Sequence, residues 1–181
     1  AVFSELGIGA FTIQLNNLKL MLLGVITVVK ACFKLVLERT VDVATLIGSG
    51  WSLCNDDDLQ SEINCTAGKD GTVDYENIVH ECFVKEGDDG SITGEEWFKR
   101  VAASKNTQLG ILNFITLWKN WVECKDADKP EESVLEKLRK AGKIPNVIYF
   151  FRTPLRYPYS LRCVLCLCFS GSGWNWSYRW L

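Results

Sequence analysis

The sequence predicts a mainly α-helical chain, and three observations carry that expectation: apolar ends around an acidic centre, side-chain stripes at helical spacing, and helix-capping residues. The charge map comes first. Residues 1–54 hold four basic and three acidic side chains, residues 55–98 two and thirteen, residues 99–144 ten and six, and residues 145–181 four and none. The near-neutral total of −2 therefore conceals parts with different surroundings. By composition the chain divides into an apolar membrane-associated segment, 1–54, an acidic helical region, 55–144, and a basic, Cys- and Trp-rich C-terminal arm, 145–181.

In the first segment, Leu18 to Leu37 is interrupted by charge only at Lys19, Lys30 and Lys34. A spanning helix needs about 20 largely apolar residues, a length reached here if Lys30 and Lys34, four apart on one helical face, snorkel toward an interface. A membrane-associated N-terminal helix is the leading expectation, ahead of a buried helix and a targeting remnant. Ala1 in place of Met fits a processed chain that keeps this segment.

Asn55-Asp56-Asp57-Asp58 then punctuates the chain, and four helices are expected after it. Tyr75, Ile78, Val79, Cys82 and Phe83 follow the i, i+3, i+4, i+7, i+8 stripe of one buried helical face. Thr93 with Glu96 three residues on reads as a capping box, with Trp97, Val101 and Ala102 facing inward. Leu109 to Val122 is apolar and aromatic around most of its circumference. Lys129 to Lys140 follows Asp128, turns Val134, Leu135 and Leu138 inward, and stops at Gly142 before Pro145. The C-terminal arm, with four arginines, Cys163, Cys166, Cys168, Trp174, Trp176, Tyr178 and Trp180, is expected to be extended with little regular structure. Arginine with Trp and Tyr suits a membrane interface, or equally a neighbouring subunit; the acidic chain makes nucleic acid a poor partner.

The acidic centre holds two similar runs, Lys69-Asp70-Gly71-Thr72-Val73-Asp74 and Asp88-Asp89-Gly90-Ser91-Ile92-Thr93. Each resembles the middle of an EF-hand calcium loop, a pattern that folds carboxylates and carbonyls around a hard cation. With Gly90 at loop position 6, the resemblance implies calcium ligands at Asp89, Ser91, Thr93 and Glu96, while Lys85 and Gly87 depart from the pattern. The Gly71 copy puts Asn77 where the family has its bidentate carboxylate. The two glycines are 19 residues apart, against roughly 30 or more for paired hands, so at most one loop is a genuine hand. Bland explanations compete: Asp74 and Thr93 also read as N-caps, and Asp-Gly is ordinary turn chemistry.

Other chemistry is sparse. Cys163-x-x-Cys166-x-Cys168 is half of a zinc pattern without a second pair; Cys54 and Cys65 suit a disulfide in an oxidising compartment. The chain has one histidine and no phosphate-binding loop, nucleophile elbow or metalloprotease motif, so an enzyme is not expected. Two function classes follow. The first is a non-catalytic accessory subunit of a multisubunit membrane complex, in a thylakoid or inner mitochondrial membrane, with lipid and other subunits as partners. The second is a membrane-tethered EF-hand-like calcium sensor.

Overall fold

The computed structural model describes residues 33–90, 92–157 and 161–181. Its elements are β1 (Lys34–Val36), α1 (Val43–Ile47), β2 (Ser52–Leu53), α2 (Asp57–Thr66), β3 (Thr72–Asp74), α3 (Gly94–Ala103), α4 (Ile111–Asp126), α5 (Val134–Lys140), β4 (Val147–Tyr157), β5 (Leu161–Ser170) and β6 (Gly173–Trp180). Short 3₁₀ turns occupy Tyr75–Asn77 and Pro130–Glu132. All lie within one unit, Lys34–Leu181.

The centre of this unit is strand β5. Cys163, Val164, Leu165, Cys166 and Leu167 are all buried, because the four-stranded antiparallel sheet β2-β4-β5-β6 is covered on both faces. Adjacent strand residues point to opposite faces, so Phe150 and Phe151 identify the two layers. Under one face lies α4, whose Phe114 meets the Phe150 ring edge-on at 5.4 Å and Trp176 at 6.3 Å. Over the other lie α3 and Phe83: Phe83, Phe151 and Val164 form a cluster joined by Trp97 and Val101. The sheet is closed by the two-residue connection Gly171-Ser172, which pairs Ser170 with Gly173. Gly173 sits at φ +127° with the Trp121 ring 2.7 Å from where a Cβ would stand, so a side chain has neither conformation nor room there.

Strand β4 is irregular where it matters most. Its register shifts between Phe150, opposite Leu165, and Leu155, opposite Cys163. Pro154 cannot donate to a ladder, and the bulged stretch turns Thr153 toward the start of α4. There the Glu62 side chain of α2, fully buried, substitutes for a cap that Gly110 cannot supply. Its carboxylate accepts from the backbone N–H of Gly110 at 2.9 Å, Leu112 at 3.1 Å and Asn113 at 2.9 Å, from Asn113 Nδ2 at 2.6 Å and from Thr153 Oγ1 at 3.2 Å. Asn113 Oδ1 in turn accepts from the buried Tyr75 hydroxyl at 2.8 Å, whose ionisation burial pushes far above the usual phenol range. One anion thus answers the orphan donors and positive end of the longest helix.

Several expectations are corrected. The chain is mixed α and β with two antiparallel sheets, not mainly α or all-α. The helix expected from Tyr75 to Phe83 is a single 3₁₀ turn followed by irregular chain, and the C-terminal arm is no loose extension but strands β4 to β6 of the main sheet. Residues 1–32, which carry most of the expected membrane helix, lie outside the described residues. Its end does not continue as helix: Lys34–Val36 pairs antiparallel with Thr72–Asp74. Among the described residues no helix is long and apolar enough to cross a membrane, against the expectation of a membrane protein. By contrast, α3 and α4 stand close to where the cap and the apolar run put them, although Ala102 is exposed; α5 buries Val134, Leu135 and Leu138 as expected but begins at Val134 under a Ser133 cap, after a 3₁₀ turn, and not at Lys129.

Candidate functional site

The residues with the most specific chemical expectation lie between Phe83 and α3. Thr93 Oγ1 accepts from Glu96 N–H at 3.2 Å and opens α3 as its N-cap. Instead of returning to Thr93, the Glu96 carboxylate accepts from Arg100 Nε at 2.8 Å, one helical turn away. The same guanidinium grips Asp88 through Nη1 at 2.5 Å and Nη2 at 2.9 Å, and donates to Phe83 O at 2.7 Å. These bonds, with one from Lys85 N–H, pull the Asp88 carboxyl down to about 2. Asp89 and Gly90 take left-handed backbone at φ 49° and 81°, and Ser91 lies outside the described residues. At the centre of this acidic turn sits a guanidinium. Among the described residues no three of His, Cys, Asp and Glu are grouped to hold a metal ion.

The cysteines are dispersed by the same logic. The seven described ones are free. Cys166 and Cys168, two apart on one face of β5, bring their Sγ atoms to 3.8 Å, and burial pushes the Cys166 thiol up to about 12. Cys65 Sγ faces Arg152 Nη2 at 3.2 Å on α2.

A different surface stands out at the end of the sheet that carries the β4–β5 connection. Trp51, just before β2, lies across Tyr157, Tyr178 and Trp180, with ring centroids at 5.0, 5.1 and 5.7 Å. Strands β4 and β6 contribute to this cluster across β5 through sheet register: Tyr157 opposes Leu161, while Tyr178 and Trp180 oppose Leu165 and Cys163. Aromatics of this size normally bury most of their area, yet Trp180 is 49% and Leu161 52% exposed.

On the reverse face of this sheet end, Arg156 and Arg162 are directly opposite in register, and Arg179 occupies the next position on β6, opposite Val164. All three are exposed. Arg156 Nε donates to Ser52 Oγ at 3.2 Å, and among the described residues none of the three is paired with a carboxylate. Like charges directly opposite on antiparallel strands are destabilising, so this arrangement suits a surface that meets outside anions. The alternation of Trp174, Trp176, Tyr178 and Trp180 was the available signal for β6. Nothing in the sequence pairs Arg156 with Arg162 or brings Trp51 to Trp180, because both depend on strand register.

Comparison with protein-family models, with curated proteins and with solved structures finds no match for this chain, so its function has to be argued from these surfaces.

Proposed function

We propose that the protein is a non-catalytic accessory subunit that docks on an acidic protein surface of a larger assembly through the aromatic and arginine-bearing end of its sheet. The observation that carries this reading is the half-exposed cluster of Trp51, Tyr157, Tyr178 and Trp180, backed by Arg156, Arg162 and Arg179. Trp, Tyr and Arg are the side chains that dominate binding energy at protein interfaces, the rings by filling desolvated pockets and arginine by bidentate grip on carboxylates. Against a chain of net charge −2 and pI about 5.5, a local excess of three guanidiniums steers an acidic partner to this end. The rings already pack on one another over a hydrogen-bonded sheet, so docking sacrifices little order.

Native migration of the tagged protein in host-cell extract tests this. The wild type is expected to run in a complex much larger than its 20.4 kDa, released by raised salt, and Arg162→Glu with Trp180→Ala to run alone while keeping its circular dichroism. Migration of the wild type alone, or of the folded variant in the same complex, contradicts the proposal.

A further inference from the structure

On the part of the molecule opposite in character to the arginine-rich end lies an open cleft of about 340 Å³. Its floor includes Tyr149 and Phe151 of β4 and Tyr75, and its edge is the irregular chain from Ile78 to Phe83. That chain is a strap fastened at both ends: Tyr75 is tied to Asn113, and Phe83 packs edge-on against Phe151 at 6.1 Å. Between these anchors the strap is held off the floor by Glu81, whose Oε2 accepts from Ser104 Oγ at 2.7 Å and Asn106 Nδ2 at 3.1 Å. The size lies within the range of small-molecule sites, which are mostly apolar with a few placed polar groups.

The charged side chains that line the cleft itself are acidic. Asp74 and Glu81 line it, together with His80, and neither lysine nor arginine does. Asp74 is partly answered by Lys34 at 3.7 Å and by Glu76 N–H at 2.9 Å. Glu81 meets only neutral donors, which favour its ionised form, and has no basic side chain paired with it among the described residues. Aromatic rings attract cations electrostatically, and Tyr149, Phe151 and Phe83 line the same cleft as this carboxylate.

We infer that this cleft is a binding site for a small organic cation, an amine carrying an apolar or aromatic body, with the ammonium at Glu81 and the body against Tyr149 and Phe151. A carboxylic acid of the same shape meets the Glu81 carboxylate, with no lysine or arginine lining the cleft to offset it. A neutral analogue gains the apolar contacts alone.

Calorimetric titration of the full chain with 4-phenylbutylamine, 4-phenylbutanol and 4-phenylbutyrate reads this order directly. The amine is expected to bind at least tenfold more tightly than the alcohol, with the carboxylate weakest. Glu81→Gln, which retains an amide oxygen for Ser104 and Asn106, should bring amine and alcohol within about twofold of each other, whereas Glu95→Gln on the outer face of α3 should change neither. An unchanged thermal midpoint in Glu81→Gln shows that the fold is intact. Equal binding of the three probes, no binding of the amine, or an amine preference that survives Glu81→Gln in the folded protein overturns the inference.

Discussion

Replacing Glu62 by Gln is the most informative perturbation of the scaffold, because it changes one atom's chemistry without changing volume. Oε1 accepts three bonds, from Gly110 N–H, Asn113 N–H and Asn113 Nδ2, and Oε2 accepts two, from Leu112 N–H and Thr153 Oγ1. A glutamine keeps an oxygen at the richer position and places an NH₂ where Leu112 N–H already points. Thr153 can rotate its hydroxyl to accept, whereas the Leu112 donor is left facing a donor, at a cost of about 1–3 kcal/mol for a buried unsatisfied group. Loss of the charge at the helix N-terminus adds up to about 2 kcal/mol in a buried geometry. Together these give a destabilisation of about 3 kcal/mol, which at a urea m-value of roughly 2 kcal/mol/M lowers the unfolding midpoint by about 1.5 M. Glu62→Ala should cost more, since four further donors or hydroxyls lose their acceptor. Urea unfolding followed by tryptophan fluorescence provides the assay. A midpoint lowered by less than about 0.3 M at unchanged m would refute the view that this carboxylate caps α4.

Four other outcomes follow from the geometry. Asp88 has its pKa depressed by Arg100, so its pairing contributes stability above the unfolded carboxyl value of 3.8 and loses it as pH falls toward about 2; Asp88→Asn should flatten the acid-unfolding curve in that window, and an unchanged curve would contradict the pairing. Calcium titration of the full chain should give no micromolar heat, because the Arg100 guanidinium occupies Asp88 and Glu96; heat abolished by Glu96→Gln would show instead that the ion displaces it. Gly173→Ala, which drives a Cβ into Trp121 at a positive φ, should lower stability by about 2 kcal/mol or more, measurable by the same urea assay. Glu136→Gln should weaken the hold of α5 on β6 and Arg139, since its carboxylate accepts from Trp174 Nε1 at 2.9 Å and from Arg139, with a cost of about 1–3 kcal/mol; an unaltered unfolding midpoint would count against that role.

Where local chemistry decides structure, the sequence was readable. Thr93 caps α3, the apolar run near Phe114 is α4, and Gly142 at φ 67° ends the last helix. The stripe from Tyr75 to Phe83 misled because its members are held by different partners: Tyr75 by Asn113 under α4 and Phe83 by Phe151 on the sheet. Those tertiary anchors keep the chain between them from closing into a helix, and Val79 of the supposed buried face is 69% exposed. Strand β5 shows no alternation because both faces are covered, so a continuous apolar run with cysteines looked like an arm. Strand β6 does alternate, and its period of two outweighs the composition that argued for irregular chain. For the site, Glu96 reads in the sequence as a capping partner and calcium ligand, whereas it pairs with Arg100 one turn on, and Asp88 reaches the same guanidinium through the left-handed turn at Asp89 and Gly90. The docking surface needed the register of four strands.

The claim that the sheet end is the docking surface is tested most directly by site-specific photo-cross-linking in the host cell. A photoreactive side chain at position 180, beside Tyr178 and Trp51, is expected to capture one acidic polypeptide in a salt-sensitive manner, while the same group at position 36, where Val36 is 73% exposed on β1, captures none. Capture of that polypeptide from position 36 alone, equal capture from both positions, or none from position 180 would contradict it.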